Sequence, residues 1–382
     1  MTQRKIRTAI VGCGKVSHLH AAALQQSCNS ELIAIYSRSL EKATGFAAQY
    51  KIQPFDDIET MIREARIEAV VVCTPHPFHA EAVIIAAKAG ANCLVEKPLA
   101  SSLQDCDAMI AACRANNVKL GVVSQRRFYE PVQRVRKAID EGKIGRPAFG
   151  TINMLGWRDK KYYDSDDWRG TWNMEGGGVL VNQAPHQLDI FQWLMGPIEE
   201  VYGTWRNLNH PYIEVEDTAL AIVKFKNGAI GNIIVSNSQK PGIFGKIQIH
   251  GENGASVGVQ TDGGAMFIAG MTSIVEPPLN DLWTVPGEEQ KLEEWNAKFA
   301  EFFLSVNAME YYMKLQNEDF CDAILNDRKP MVSGEEGRLT VELFTAIYRS
   351  QRDNKPIKFP LEPEYDQQDF DGRISIPCHT SC

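Results

Sequence analysis

KIRTAIVGCGKVSHLHAAALQQ, residues 5–26, is the stretch from which the rest of the chain is read. A short β-branched run stops at Gly12, and a helix-forming run begins at once. Between them Gly12, Gly14 and Ser17 spell G-x-G-x-x-S. Gly12 permits a tight turn and Gly14 lets a pyrophosphate approach the backbone. Lys15 and Val16 open the helix whose N-terminus would face the phosphates. Serine at the third position departs from glycine or alanine, yet is small enough for helix to pack on strand. An ordinary glycine-rich strand-to-helix turn would look similar, so the motif gains its weight from the strands and helices downstream of it.

The next strand, ELIAIYSR (31–38), ends about 20 residues after the glycines, where a NAD-binding fold often carries a carboxylate for the ribose 2′-hydroxyl. Here the chain has Ser37, Arg38 and Ser39. A hydroxyl and a guanidinium suit a 2′-phosphate, which favours NADP; NAD stays open if Arg38 is only a solvated loop residue. Further on come a helix near 57–65, strand AVVVCTP (69–75), helix AEAVIIAAKAG (80–90), strand ANCLVEKP (91–98), a helix near 103–116 and strand KLGVVSQ (119–125). This alternation predicts an α/β Rossmann domain with a doubly wound parallel sheet over residues 1–125. Such sheets bind ligands at their carboxyl edge. That edge would carry Glu96 and Lys97, and also Thr74, Pro75 and His79 as walls of the nicotinamide side. For His76 and His79 a loop or helix-capping role is the competing reading.

After residue 125 the periodicity changes. Strand candidates at 147–156, 199–207, 218–225, 229–238 and 246–251 are joined in part by glycine turns, KNG (226–228) and GENG (251–254), which implies antiparallel pairing. Residues 126–382 are therefore expected to form an α+β domain with a large, mostly antiparallel open sheet, used for substrate binding and oligomerisation. One helix, about 183–195, interrupts the strands, and others are expected around 296–326 and 335–352. In MEGGGVLVNQAPHQLDIFQWLMG (174–196), Asn182, His186 and Asp189 share one helical face. Asn182 reads equally as the helix cap or as a substrate contact, and His186 as a core histidine or an acid/base. Arg126, just past the last Rossmann strand, is a further candidate substrate contact. Trp157, Tyr162, Tyr163 and Trp172 are sugar-stacking or packing aromatics, within specificity loops expected at 153–172 and 237–244.

With 382 residues, 44% hydrophobic and 23% charged, the chain is long enough for two cores. Its net charge of −8 argues against nucleic acid or an anionic membrane as partner. The N-terminus enters a strand pattern without a signal-peptide profile, and a cytoplasmic location is expected. Nine singly scattered cysteines, among them Cys73 and Cys93, suit reduced core thiols better than disulfides. The tail beyond about residue 360 is read as disordered or extended. Its Cys378, His379 and Cys382 lack a second cluster, so no metal is expected.

GCGKVS, TPHPFH, EKP (96–98), WRG (168–170), GGGVLVNQAPHQLD and VEDT (215–218), in this order, resemble the glucose-fructose oxidoreductase, inositol dehydrogenase and rhizopine catabolism (Gfo/Idh/MocA) family, from residue 5 to about 360. The resemblance implies an NAD(P)-dependent dehydrogenase of sugars, inositols or related polyols, and a homodimer or homotetramer. It makes Lys97 the catalytic lysine and His186 the catalytic histidine, and puts Trp168 and Arg169 against the cofactor. Asn182 stands where many members have aspartate, leaving Lys97 and His186 as the main acid/base pair. The NQ-x-x-H version looks closest to members acting on sugar derivatives. Relatives that oxidise a sugar only transiently, to eliminate a glycoside, offer a second reading: a net hydrolase or lyase. A non-enzymatic nucleotide sensor is a third, against which the retained lysine and histidine speak.

Overall fold

The computed structural model describes residues 4–262 and 276–364, and Cys378, His379 and Cys382 lie outside them. The chain begins β1 (Ile6–Val11), α1 (Lys15–Gln26), β2 (Ser30–Tyr36), α2 (Leu40–Tyr50), β3 (Gln53–Phe55), α3 (Ile58–Glu64), β4 (Ala69–Val72), α4 (His79–Lys88), β5 (Asn92–Val95), α5 (Leu103–Ala115) and β6 (Leu120–Val122). These six strands form one parallel sheet in the order β3-β2-β1-β4-β5-β6. The order reverses between β1 and β4, so the crevice beyond their carboxyl ends is the ligand-binding edge. Sequence reading anticipated five of the strands. β3 escaped it because it is three residues long and contains Pro54, which an edge strand tolerates.

The remainder runs α6 (Glu130–Asp140), β7 (Pro147–Leu155), α7 (Lys160–Tyr163), α8 (Val179–Asn182), α9 (Pro185–Met195), β8 (Ile198–Arg206), β9 (Thr218–Phe225), β10 (Ile230–Ser236), β11 (Phe244–Gly251), β12 (Ser256–Asp262), β13 (Leu279–Trp283), α10 (Leu292–Ser305), α11 (Ala308–Leu325), α12 (Gly334–Asp353) and β14 (Ile357–Lys358). Eight strands pair in the order β13-β12-β11-β7-β10-β9-β8-β14. All their pairings are antiparallel except β7 with β10. Both predicted glycine turns close hairpins, with Gly228 and Gly254 at positive φ. β12 was missed because its first four residues are all buried, which erases the alternation that marks a half-buried strand.

The interrupting helix is corrected. α8 ends at Asn182, and a separate α9 starts at Pro185, whose missing N–H costs nothing at the first helical position. Ala184 takes the cap position, so the Asn182 side chain does not cap this helix.

What seats α9 on the sheet is a gap two glycines wide. Gly150 and Gly231 are register partners in β7 and β10, and a Cβ on either would come within 2.9 Å of the Phe191 ring. Phe191 fills that gap fully buried, edge-on to Phe225 at 5.5 Å. Truncating such a ring costs about 3–5 kcal/mol. The opposite face of the sheet leaves Tyr202, Leu220, Ile222 and Ile230 exposed. Near the C-terminus the chain returns to the first sheet: α11 lays Met313, Phe320 and Cys321 into a cluster with Ile6, Ile10 and Leu94, and α12 packs on β8 and α5. No described helix is long and apolar enough to cross a membrane.

Candidate active site

One cavity of about 630 Å³ runs along the carboxyl edge of the parallel sheet and on beneath the second sheet. The turn after β1 forms its floor. Gly12 sits at φ +103°, and a Cβ there would lie 2.9 Å from the Cys73 carbonyl, so only glycine lets β1 and β4 end so close together. Ser17 Oγ donates to the Gly12 carbonyl (2.7 Å), which ties the helix start to the turn. An added Cβ on Gly14 would meet nothing within 4 Å, leaving the backbone open for a phosphate. Gly12, Gly14, Lys15, Val16, Ser37, Arg38, Thr74 and Pro75 all line this part, joined by Lys42, which the sequence did not single out. The Arg38 guanidinium stands 5.2 Å from the centre of the Phe78 ring. Thr74 Oγ1 is buried and without a partner among the described residues, as a wall awaiting a polar ligand atom would be. These features fit a dinucleotide.

His79 is elsewhere. Its ring is fully buried, with Nδ1 3.1 Å from the carbonyls of Pro98 and Leu99 and Nε2 2.8 Å from that of Thr74. It clamps the loop after β5 to the loop after β4, and His76 faces the cavity in its place.

At the other end β5 delivers Glu96 and Lys97. Glu96 is buried, 2.9 Å from His20 Nε2, and accepts from the Lys97 backbone N–H. Burial pushes its pKa up, but His20 and Lys97 outweigh this and hold it below the usual value. Lys97 Nζ donates to the Asn182 carbonyl (2.7 Å) and Oδ1 (3.3 Å). Burial, with Arg126 and Arg169 nearby and Glu96 opposing, brings the lysine down to about 8. An ammonium has three protons, so these two bonds leave one for a ligand.

Asn182 is held from behind: its Nδ2 donates to the Tyr162 hydroxyl (3.1 Å) and to Glu175 Oε1. Glu175, on the turn before α8, is 1% exposed, accepts from the Gly170 N–H, and is pushed up to about 7 by burial. A carboxyl thus stands one hydrogen bond behind the amide. The glycines after it are required by close approach. A Cβ on Gly178 would fall 1.8 Å from the Glu216 carbonyl oxygen, while the Glu216 carboxylate accepts from Gly178 N (2.9 Å) and Leu180 N (3.0 Å).

His186, in the first turn of α9, lines the cavity at 6% exposure. Its Nδ1 has no partner among the described residues. Burial, then Arg126 and Lys97, push its pKa well below 6.5, so it is neutral at neutral pH. Asp189, predicted on the same face, is turned to other use: it accepts Arg127 Nη2 (2.6 Å) and Nε (2.8 Å) in a buried pair. Arg126 lines the cavity and pairs with Asp262 (2.5 Å).

The segment after β7 forms the roof. Asp166 accepts from Lys15 Nζ (3.1 Å) and pairs with Arg169 (3.2 Å), linking the glycine turn to the second sheet's loop. Arg169 lies against Trp168 and Tyr162, with its carbon 4.4 and 4.3 Å from the ring centres. Of the four aromatics considered for sugar stacking, Tyr162 alone lines the cavity. Trp157 and Tyr163 pack on His210, and Trp172 on Trp205 and Tyr348. Arg158, Gln183 and Asp262 complete this end, and the 237–244 loop supplies no lining residue. Sequence reading missed Glu175, Arg158, Gln183 and Asp262. Glu175 alone had a signal, as an acid directly before the three glycines.

Two family models match this chain: an oxidoreductase family, NAD-binding Rossmann fold, over residues 6–124, and a GFO/IDH/MocA C-terminal domain over 132–257. Among solved structures it is similar to the WlbA dehydrogenase of Bordetella pertussis in complex with NADH and UDP-GlcNAcA. Identity is 33%, coverage 95% of this chain and 100% of that one, and the TM-score 0.82. It is 26% identical over 366 residues to the myo-inositol 2-dehydrogenase of Thermotoga maritima, covering 92% of this chain and 98% of that protein. It is also 30% identical over 203 residues to the 2,7-anhydro-N-acetylneuraminate hydratase of Mediterraneibacter gnavus, covering 53% of each.

Proposed function

The chain belongs to the Gfo/Idh/MocA family of NAD-binding oxidoreductases, and from that premise we propose that it moves a hydride between NAD(P) and a secondary alcohol of a sugar, inositol or sugar derivative. The observation that carries this reading is the pairing, at one end of a dinucleotide-shaped cavity, of a charged Lys97 with a neutral His186. The nicotinamide, when bound, supplies the hydride acceptor. His186 takes the hydroxyl proton, for which a neutral imidazole is suited. Lys97 hydrogen-bonds the same oxygen through its remaining N–H, keeping its proton, and stabilises the negative charge that develops there. Asn182 fixes the ammonium through its carbonyl and Oδ1, and Glu175 fixes Asn182. Arg126 and Tyr162 border the substrate end.

Ser37, Arg38 and Lys42, with no carboxylate at the end of β2, favour NADP over NAD. The exposed apolar face of the second sheet favours a homodimer or homotetramer built on it. A second reading, net hydrolysis or elimination through transient oxidation, is favoured by the likeness to a hydratase. One screen separates these: NAD and NADP against monosaccharides, inositols, anhydrosugars and glycosides, monitored at 340 nm with product analysis. Lasting absorbance supports the dehydrogenase. Product without lasting absorbance supports the second reading, and neither signal with any substrate refutes both.

A further inference from the structure

Arg158 is 5% exposed, lines the cavity, and forms no ion pair among the described residues. Every neighbouring arginine has a carboxylate: Arg126 has Asp262, Arg127 has Asp189, and Arg169 has Asp166. Among the described residues Arg158 has only Nη1 donating to the Trp157 carbonyl (3.0 Å) and the Tyr162 ring 5.4 Å from its carbon, while its buried Nε has no hydrogen-bond partner among them. The backbone gives it no freedom to escape. Its N–H donates to the Asn237 carbonyl (3.2 Å), and its own carbonyl lies 2.7 Å from His210 Nε2. A guanidinium does not deprotonate in a protein, so the fold holds a buried positive charge without its counter-ion.

The balance of charge agrees. At the substrate end the bases Lys97, Arg126, Arg158 and Arg169 outnumber the lining carboxylates Glu96, Asp166 and Asp262, and Arg158 is the arginine that none of these carboxylates reaches as an ion pair. The other basic residues of the cavity, Lys15, Arg38 and Lys42, belong to the cofactor end.

We propose that Arg158 is the anion-recognition residue of the substrate pocket and takes a carboxylate carried by the sugar, so that the enzyme selects sugar acids over their neutral counterparts. A planar fork of N–H donors matches a carboxylate in two-point geometry, whereas a hydroxyl would leave the charge uncompensated. This rests on the reading of the Lys97–His186 cavity as a substrate site.

The test uses matched pairs that differ in one carboxylate: glucuronate with glucose, and UDP-N-acetylglucosaminuronate with UDP-N-acetylglucosamine. Each is measured for turnover with NAD(P) and, independently, for calorimetric binding to protein loaded with NAD(P)H. The wild type should prefer the acid of the better pair by about 100-fold or more, and Arg158→Met should shrink that acid-to-neutral ratio by about 30-fold or more. Arg158→Lys, which keeps a point charge, should retain an intermediate ratio, and melting curves check that both variants fold. A wild type that shows no acid preference, or variants that weaken acid and neutral members in parallel, would overturn the proposal. Turnover of neutral sugars without an acid preference defeats this inference and leaves the dehydrogenase reading standing. Arg158-dependent acid binding with no oxidation does the reverse, and absence of both rejects both.

Discussion

Raising the pH through 8 should switch the enzyme off in the direction of alcohol oxidation, at a point where a solvated lysine would still be fully charged. Lys97 is brought from 10.5 to about 8 by burial, with Arg126 and Arg169 adding to the effect and Glu96 opposing it. At about 1.4 kcal/mol per unit, the site holds this ammonium at a cost of roughly 3 kcal/mol relative to water. Near pH 7 about nine-tenths of the molecules then carry the charge, and near pH 9 about one-tenth do. If the ammonium stabilises the developing alkoxide, kcat/KM should be level near pH 7 and fall about tenfold per unit above 8. His186, pushed well below 6.5, sets an acid limb below the neutral range. The assay is initial-rate NAD(P)H formation from about pH 5.5 to 10, with cofactor affinity measured at each pH. Lys97→Arg supplies the control: a guanidinium stays charged throughout, so whatever activity survives should lack the alkaline limb. A wild-type profile flat to about pH 10, or an alkaline limb unchanged in Lys97→Arg, would refute the reasoning.

Three other outcomes are expected from the geometry. Gly12→Ala places a Cβ 2.9 Å from the Cys73 carbonyl at φ +103° and should cost about 1–3 kcal/mol of stability, with weaker NAD(P)H binding by fluorescence titration. Asp189→Asn leaves the buried Arg127 short of its main counter-charge and should lower the unfolding free energy by about 3–5 kcal/mol in urea. Glu216 is raised to about 7 by burial, so its contribution to stability is fully present below about 4.5 and is lost as the pH rises through 7. Between about pH 6 and 8.5 the wild type should therefore lose about 1.4 kcal/mol relative to Glu216→Gln.

Much of the fold was legible because its signals are local. The β1 turn carries its own glycines, and the alternation of β-branched and helix-forming runs fixes a parallel sheet without reference to distant residues. β3, β12 and β14 were illegible for the opposite reason: three residues with a proline, a run buried on both sides, and two residues have no period to read. The site divides in the same way. Lys97 and His186 stand in recognisable surroundings, and the structure brings both to one cavity end. Arg158, Gln183 and Asp262 come from a loop, a helix junction and a strand end, and become neighbours through tertiary packing that spacing does not encode. The charge on Arg158 in particular looks ordinary until the fold shows it without an ion pair among the described residues. His79 and Asp189 show the converse, since polar residues beside a motif were drawn into holding the scaffold.

The central claim is that Lys97 and His186 act together on one oxygen, and it is tested most directly by turnover and cofactor affinity of Lys97→Ala and His186→Ala on a substrate the wild type oxidises. Each variant should lose about 100-fold or more in kcat while binding NAD(P)H within a few-fold of wild type, in keeping with acid/base contributions of about 10²–10⁴. Near-normal turnover in either variant, or a loss of turnover fully accounted for by lost cofactor binding, would contradict the account.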